Sequence, residues 1–80
     1  MKRNRLSKKV SSYRINLYSG DRFICSYYDS LSFSSISSLI RYYVSKHPYL
    51  SISLVNLFLL DECCNEISSG FYYPSGKRKL

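Results

Sequence analysis

The chain contains no Ala, Thr, Gln or Trp, and among its 80 residues it has a single His, two Pro, three Gly and three Cys. One His excludes reactions that need paired imidazoles. The three glycines build neither G-x-x-x-x-G-K-S/T nor G-x-G-x-x-G, so no phosphate-cradling loop is present. No apolar run approaches the ~20 residues that a membrane span needs, and the longest one is broken by Asn56. The basic start runs into Ser11, Ser12 and Arg14 where a secretory leader would place an apolar region, so no leader is expected. An odd number of cysteines, two of them adjacent, supplies no paired disulfide framework and points to synthesis in a reducing interior such as the cytoplasm.

What is present is serine, aromatics and positive charge. Seventeen residues are Ser, nine are Tyr and four are Phe. This narrow alphabet, rich in Lys, Asn, Ile, Tyr and Phe, is that of an AT-rich coding sequence. Eighty residues make one domain at most. A domain of this size buries only ~60% of its unfolded surface, so extra stability is expected to come from a partner.

The formal charge of +7 is unevenly placed. Lys2, Arg3, Arg5, Lys8 and Lys9 lie near one end, and Lys77, Arg78 and Lys79 near the other. Between them four basic residues face five acidic ones, so the body is nearly neutral. The division expected is a basic arm over residues 1–12, a domain over 13–73 and a basic tail over 74–80. Such ends seek an anionic surface, with nucleic acid among the candidates, or serve only as solubilising tails.

Tyr13, Ile15 and Leu17 alternate with polar neighbours in the period-2 pattern of a half-buried strand. Ser19-Gly20-Asp21 supplies a turn, and Phe23, Cys25 and Tyr27 continue the alternation. Both triplets are expected on one face, with Tyr18, Ile24 and Tyr28 on the other. Ser32 is the expected N-cap of a helix whose stripe is Phe33, Ile36, Leu39, Ile40, Tyr43 and Val44, stopped by Pro48. Residues 51–60 form a strand apolar at both parities: Ile52, Leu54, Phe58 and Leu60 on one, Val55, Leu57 and Leu59 on the other. One helix covers one face of a sheet. Tyr18, Ile24, Tyr28, Val55, Leu57 and Leu59 are therefore expected to form an open face offered to a protein partner. Residues 61–70 read as turn-like, and Phe71-Tyr72-Tyr73 as a short strand or an aromatic plug.

The pattern Y-x-I-x-L-x-S-G-x-x-F-x-C-x-Y, followed by a capped helix and an apolar strand, resembles the ubiquitin-like β-grasp. The resemblance covers residues 13–60. It implies an α+β fold of ββαβ order with one helix packed across a small sheet. The end of the chain lacks the paired glycines of conjugated modifiers, so covalent attachment is not expected. The R-I-x-L-x-S-G-like start also looks similar to small proteins of large DNA viruses. Together these imply a non-enzymatic subunit of a large assembly. A minor, capsid-associated protein of a virus particle, bound to larger protein subunits and made in the cytoplasm or a viral factory, fits first. The alternatives are a nucleic-acid-associated protein, such as a ribonucleoprotein subunit, and a ubiquitin-like adaptor.

Chemistry has few candidates. Cys25, Cys63, Cys64 and His47 are the only soft ligands, and adjacent cysteines do not converge on zinc as C-x₂₋₄-C pairs do. Neither metal nor cofactor is expected. Asp61, Glu62 and Glu66 read as a solvated loop, and His47 before Pro48 as a helix-end residue. No catalytic residue is assigned. Arg14, Tyr18, Arg22 and Tyr28 are a candidate base-stacking set on the hairpin, outweighed at this level by the aliphatic area expected beside it.

Overall fold

A computed structural model describes residues 10–30, 33 and 35–79. The basic residues Lys2, Arg3, Arg5, Lys8 and Lys9, and Ser32 with its expected capping role, lie outside them. The elements are β1 (Ser12–Ser19), β2 (Arg22–Asp29), α1 (Ile36–Val44), β3 (Leu54–Leu60) and β4 (Glu66–Tyr72). They form an α+β fold, a four-stranded sheet of order β2-β1-β3-β4 with one helix. All three pairings are antiparallel. The α+β class and the ββαβ order of the first four elements are as expected.

The hairpin forms as its sequence dictates. Ser19 pairs with Arg22 across two residues, and Gly20 takes φ +63°, as the first position of a tight hairpin turn requires. Gly20 N–H donates to Ser53 Oγ at 2.7 Å, tying the turn to the start of the third strand. The helix begins later than its apolar stripe suggests. Ser35 is the N-cap, with extended backbone and a side chain that accepts from Ser38 N–H at 3.2 Å. Phe33 stays outside the helix and packs edge-on against Tyr13, ring centroids 6.3 Å apart.

Directly opposed residues of an antiparallel pair share a face. Tyr13 opposes Leu59, Ile15 opposes Leu57, and Leu17 opposes Val55. Val55, Leu57 and Leu59 therefore lie beneath the helix, against Leu39, Ile40 and Tyr43. Val55 is 0% and Leu57 1% exposed. This corrects their expected place on the open face. The reason is the register: once Tyr13, Ile15 and Leu17 face the helix, pairing without a shift brings this parity with them. Leu54, Asn56, Phe58 and Leu60 face the other way.

Two further expectations on β2 are corrected by one irregularity. The register shifts so that Leu17 opposes Cys25 while Tyr18 opposes Phe23. Ile24 is the extra residue of a bulge. Phe23 consequently turns outward beside Tyr18, ring centroids 5.7 Å apart, and Ile24 packs against the core. Arg22, opposite Ser19, is one parity away from Tyr18 and leaves the open face.

The stretch after β3 is a strand and not a loop. Glu66–Tyr72 pairs along β3 even though Ser68, Ser69 and Gly70 are poor strand formers, because β3 offers a full edge to satisfy. The expected basic ends are shorter than 1–12 and 74–80. Ser11 N–H bonds Leu60 O at 2.8 Å and Ser12 opens β1. Beyond Tyr73 the chain turns at Gly76 and pairs back on β4, with Tyr73 N–H to Lys77 O and Lys79 N–H to Phe71 O, both 2.8 Å. Gly76 is buried at φ +96°, and an added Cβ would meet Ser37 Cα at 2.7 Å.

This layout predicts that Leu57→Ala lowers unfolding free energy by about 2–4 kcal/mol through the cavity it leaves. Phe71→Ala on the opposite face should change it by less than about 1 kcal/mol. Gly76→Ala should cost about 2 kcal/mol, from the positive φ and the clash. Urea titration of each variant measures all three.

Candidate nucleic-acid interface

The face turned away from the helix is built by the parity that the core rejects. Reading across the strands, Tyr28 opposes Arg14 and Arg14 opposes Phe58. In the next row Ser26 opposes Asn16, Asn16 opposes Asn56, and Asn56 opposes Phe71. A third row begins Phe23, Tyr18, Leu54. Exposed rings stand at both margins: Phe23 is 53%, Tyr28 57% and Phe71 47% exposed. Of the expected face residues, Tyr18 and Tyr28 are here, and Ile24, Val55, Leu57 and Leu59 are not.

The polar groups of this face are organised by contacts among themselves. The Arg14 guanidinium lies 4.8 Å from the Phe58 ring centroid, a cation–π geometry that holds a long side chain flat on the sheet. Ser26 Oγ donates to Asn16 Oδ1 at 2.7 Å, and Asn56 Nδ2 donates to Gly70 O at 3.1 Å. Tyr72 opposes Arg78 in the folded-back segment, so Lys77 and Lys79 fall by alternation on the side of Phe71. Arg78 goes to the other side, 5.9 Å from the Tyr72 ring. Of the expected anion-contacting residues, Lys77 and Lys79 thus join the aromatic face, Arg78 does not, and the five near the start lie outside the described residues.

Acidic groups sit at the edges. Asp61 Oδ1 accepts from Cys63 N–H and Asn65 N–H, both at 2.9 Å, and ties the loop between β3 and β4 into a tight turn. Cys64 there has φ +65°, and its Sγ lies 2.7 Å from Tyr28 Oη. This loop reaches across the sheet to β2 and caps one end of the open face. Asp29 belongs to the helix side, where its Oδ2 accepts from Tyr43 Oη at 3.0 Å. Asp21 is in the hairpin turn. The three rows carry Arg14 and no acid, and the next row of this face, Ser12, Leu60 and Glu66, ends on a carboxylate beside the loop.

A second cluster lies at the far edge of the core. His47 Nε2 is 2.6 Å from Tyr27 Oη and 3.5 Å from Cys25 Sγ. Sequence distance concealed this meeting, which the helix end produces by swinging His47 back over β2. A thiol nucleophile needs the imidazole lone pair for its own proton. The Tyr27 hydroxyl is the nearer partner of that nitrogen and competes with the thiol for it. Burial first, then the charge of and hydrogen bond with Cys25, raise the Tyr27 hydroxyl above its ordinary range. Tyr43 is raised too, by burial first and then by its bonds with Tyr13 and Asp29. The soft ligands are divided between two places: Cys25 with His47 under the helix end, and Cys63 with Cys64 in the loop on the other face. Among the described residues no three His, Cys, Asp or Glu side chains converge on one point. No helix of the described residues is long and apolar enough to cross a membrane.

No family model matches the chain, and neither a curated protein nor a solved structure does.

The raised tyrosines give a pH dependence of defined sign. Unfolded tyrosines lose their protons near 10.0, while folded Tyr27 and Tyr43 hold theirs to higher pH. Above that value the unfolded state binds fewer protons, so stability is complete below it and falls as pH rises further. Urea midpoints at about pH 9 and about pH 11 should show this loss, and Tyr43→Phe should make the loss smaller.

Proposed function

We propose that the chain is a non-enzymatic nucleic-acid-binding protein whose open sheet face is the contact surface. One observation carries this reading: the face combines exposed rings with Arg14, Lys77 and Lys79, while Glu66 stands apart from them in the row beside the loop. Aromatic rings offer stacking area to bases, and the cations neutralise phosphates. The excess of basic residues over the whole chain acts in the same direction and draws a polyanion in from a distance. Lys2, Arg3, Arg5, Lys8 and Lys9 would add sequence-blind phosphate contacts.

The reading as a capsid-associated subunit leaned on an aliphatic open face, and the burial of Val55 and Leu57 removes that support. What still favours it is the exposed aromatic area, which a larger protein subunit would also cover. A β-grasp-like adaptor would use the same area. The cations set among these rings, with Glu66 at the loop end of the face, favour a polyanion over either.

The deciding measurement is a salt titration of binding to labelled nucleic acid. Affinity should fall steeply with salt. Arg14→Gln should weaken binding about three- to ten-fold and leave the urea midpoint nearly unchanged. Replacing Lys2, Arg3, Arg5, Lys8 and Lys9 by Gln should lower the salt slope and leave the Arg14 effect in place. Binding that ignores Arg14 and disappears with the five replacements would place the contact at the chain's basic start and defeat the sheet-face reading.

A further inference from the structure

Resting on the nucleic-acid reading, the geometry points to the form of the ligand: we propose that it is a single strand, laid along a stacking track from Tyr28 over Phe58 to Phe71 and leaving across Lys77 and Lys79. A duplex hides its base faces inside its own stack, and what it shows a flat sheet is phosphate. Exposed rings add nothing to such a contact. A single strand has free base faces, and each ring it covers contributes to affinity without regard to sequence.

The placement of the rings fits this use. Phe58 opposes Ser69, so Phe71 is its diagonal neighbour, about 7–8 Å away. That is within reach of one extended nucleotide step. Tyr28 and Phe58 are two strands apart, about 10 Å, and the guanidinium of Arg14 lies over the Phe58 ring, 4.8 Å from its centroid. A planar cation backed by that ring presents its own face to a base and its charge to the neighbouring phosphate.

The track has one closed end. Beyond Tyr28 the loop carrying Cys64 stands over the sheet, with Sγ 2.7 Å from the Tyr28 hydroxyl. Glu66, opposite Leu60, lies in the row at that end and repels phosphate. At the other end Phe71 is followed by Lys79 directly opposite it, then Lys77. The strand is thereby stopped at the loop and drawn out over the edge formed by the folded-back segment. The footprint is short, near the lower end of the roughly 4–16 nucleotides that single-strand grooves cover.

The test is fluorescence anisotropy of the full chain with short oligothymidylate, oligouridylate and a length-matched DNA duplex. At least one single strand should bind about ten-fold more tightly than the duplex, and Phe71→Ala should remove about ten-fold of that affinity without changing the dependence on salt. Lys77→Gln and Lys79→Gln should each reduce the log–log salt slope by about 0.7. Phe58→Leu, which keeps most of the packing volume, should weaken binding as Phe71→Ala does. Duplex binding as tight as single-strand binding, or indifference to both Phe substitutions, overturns the track and leaves the nucleic-acid reading intact. Failure of both single strands and duplex to bind at low salt overturns the nucleic-acid reading itself.

Discussion

The register between β1 and β3 is the constraint on which the rest of this small protein depends. One helix covers one face of the sheet, so each strand must present its apolar side to that face or lose it to water. Ile15 opposite Leu57 and Leu17 opposite Val55 form the centre of the core, with Leu39, Ile40 and Tyr43 above them. A slip of one residue would turn Val55, Leu57 and Leu59 outward and bring Asn56 under the helix. An unpaired amide there would be costly to bury. Asn56 is thus the residue that penalises the wrong register, and in the right one it is bonded to Gly70 O.

From that register the functional face follows as a remainder. The core takes Val55, Leu57 and Leu59 from β3, and the other parity turns Leu54, Asn56, Phe58 and Leu60 to the open side, where Asn56 is itself buried. The bulge at Ile24 makes the same exchange on β2, taking an aliphatic side chain inward and sending Phe23 out. The open face therefore carries rings and polar side chains beside Leu54 and Leu60, while the core holds Val55, Leu57, Leu59 and Ile24. Arg14 lies flat on Phe58 for the same reason, since the ring beneath it stays partly open. The basic residues after Gly76 join this face only because the chain turns back, and that turn needs a residue without a side chain against Ser37.

The hairpin, its glycine turn, the helix stripe and the apolar third strand were all legible. Each is a local pattern: alternation, a positive-φ residue, helical spacing. The parity of residues 51–60 was legible in principle. Val55, Leu57 and Leu59 run unbroken while Asn56 interrupts the other set, and an unbroken parity marks the side that must be dry. Of β4 only the end, Phe71-Tyr72, was legible, as a strand or a plug; Ser68, Ser69 and Gly70 have no preference of their own and become a strand only where β3 leaves backbone groups to pair. The meeting of Cys25, Tyr27 and His47 was hidden as well, since the bond spans 20 residues between Tyr27 and His47.

Sequence alone thus determined the kinds and order of the first elements, the excess of positive charge and the scarcity of catalytic residue types. These depend on side-chain chemistry and on spacing within a few residues. Only the tertiary structure decided which side of each strand is wet, where the bulge falls, and that Lys77 and Lys79 stand beside Phe71. Those outcomes depend on pairing between distant segments, and in a strand apolar at both parities the local signal for the dry side is no more than the break at Asn56. The choice is made when the helix, one element for one face, packs against the side that excludes Asn56.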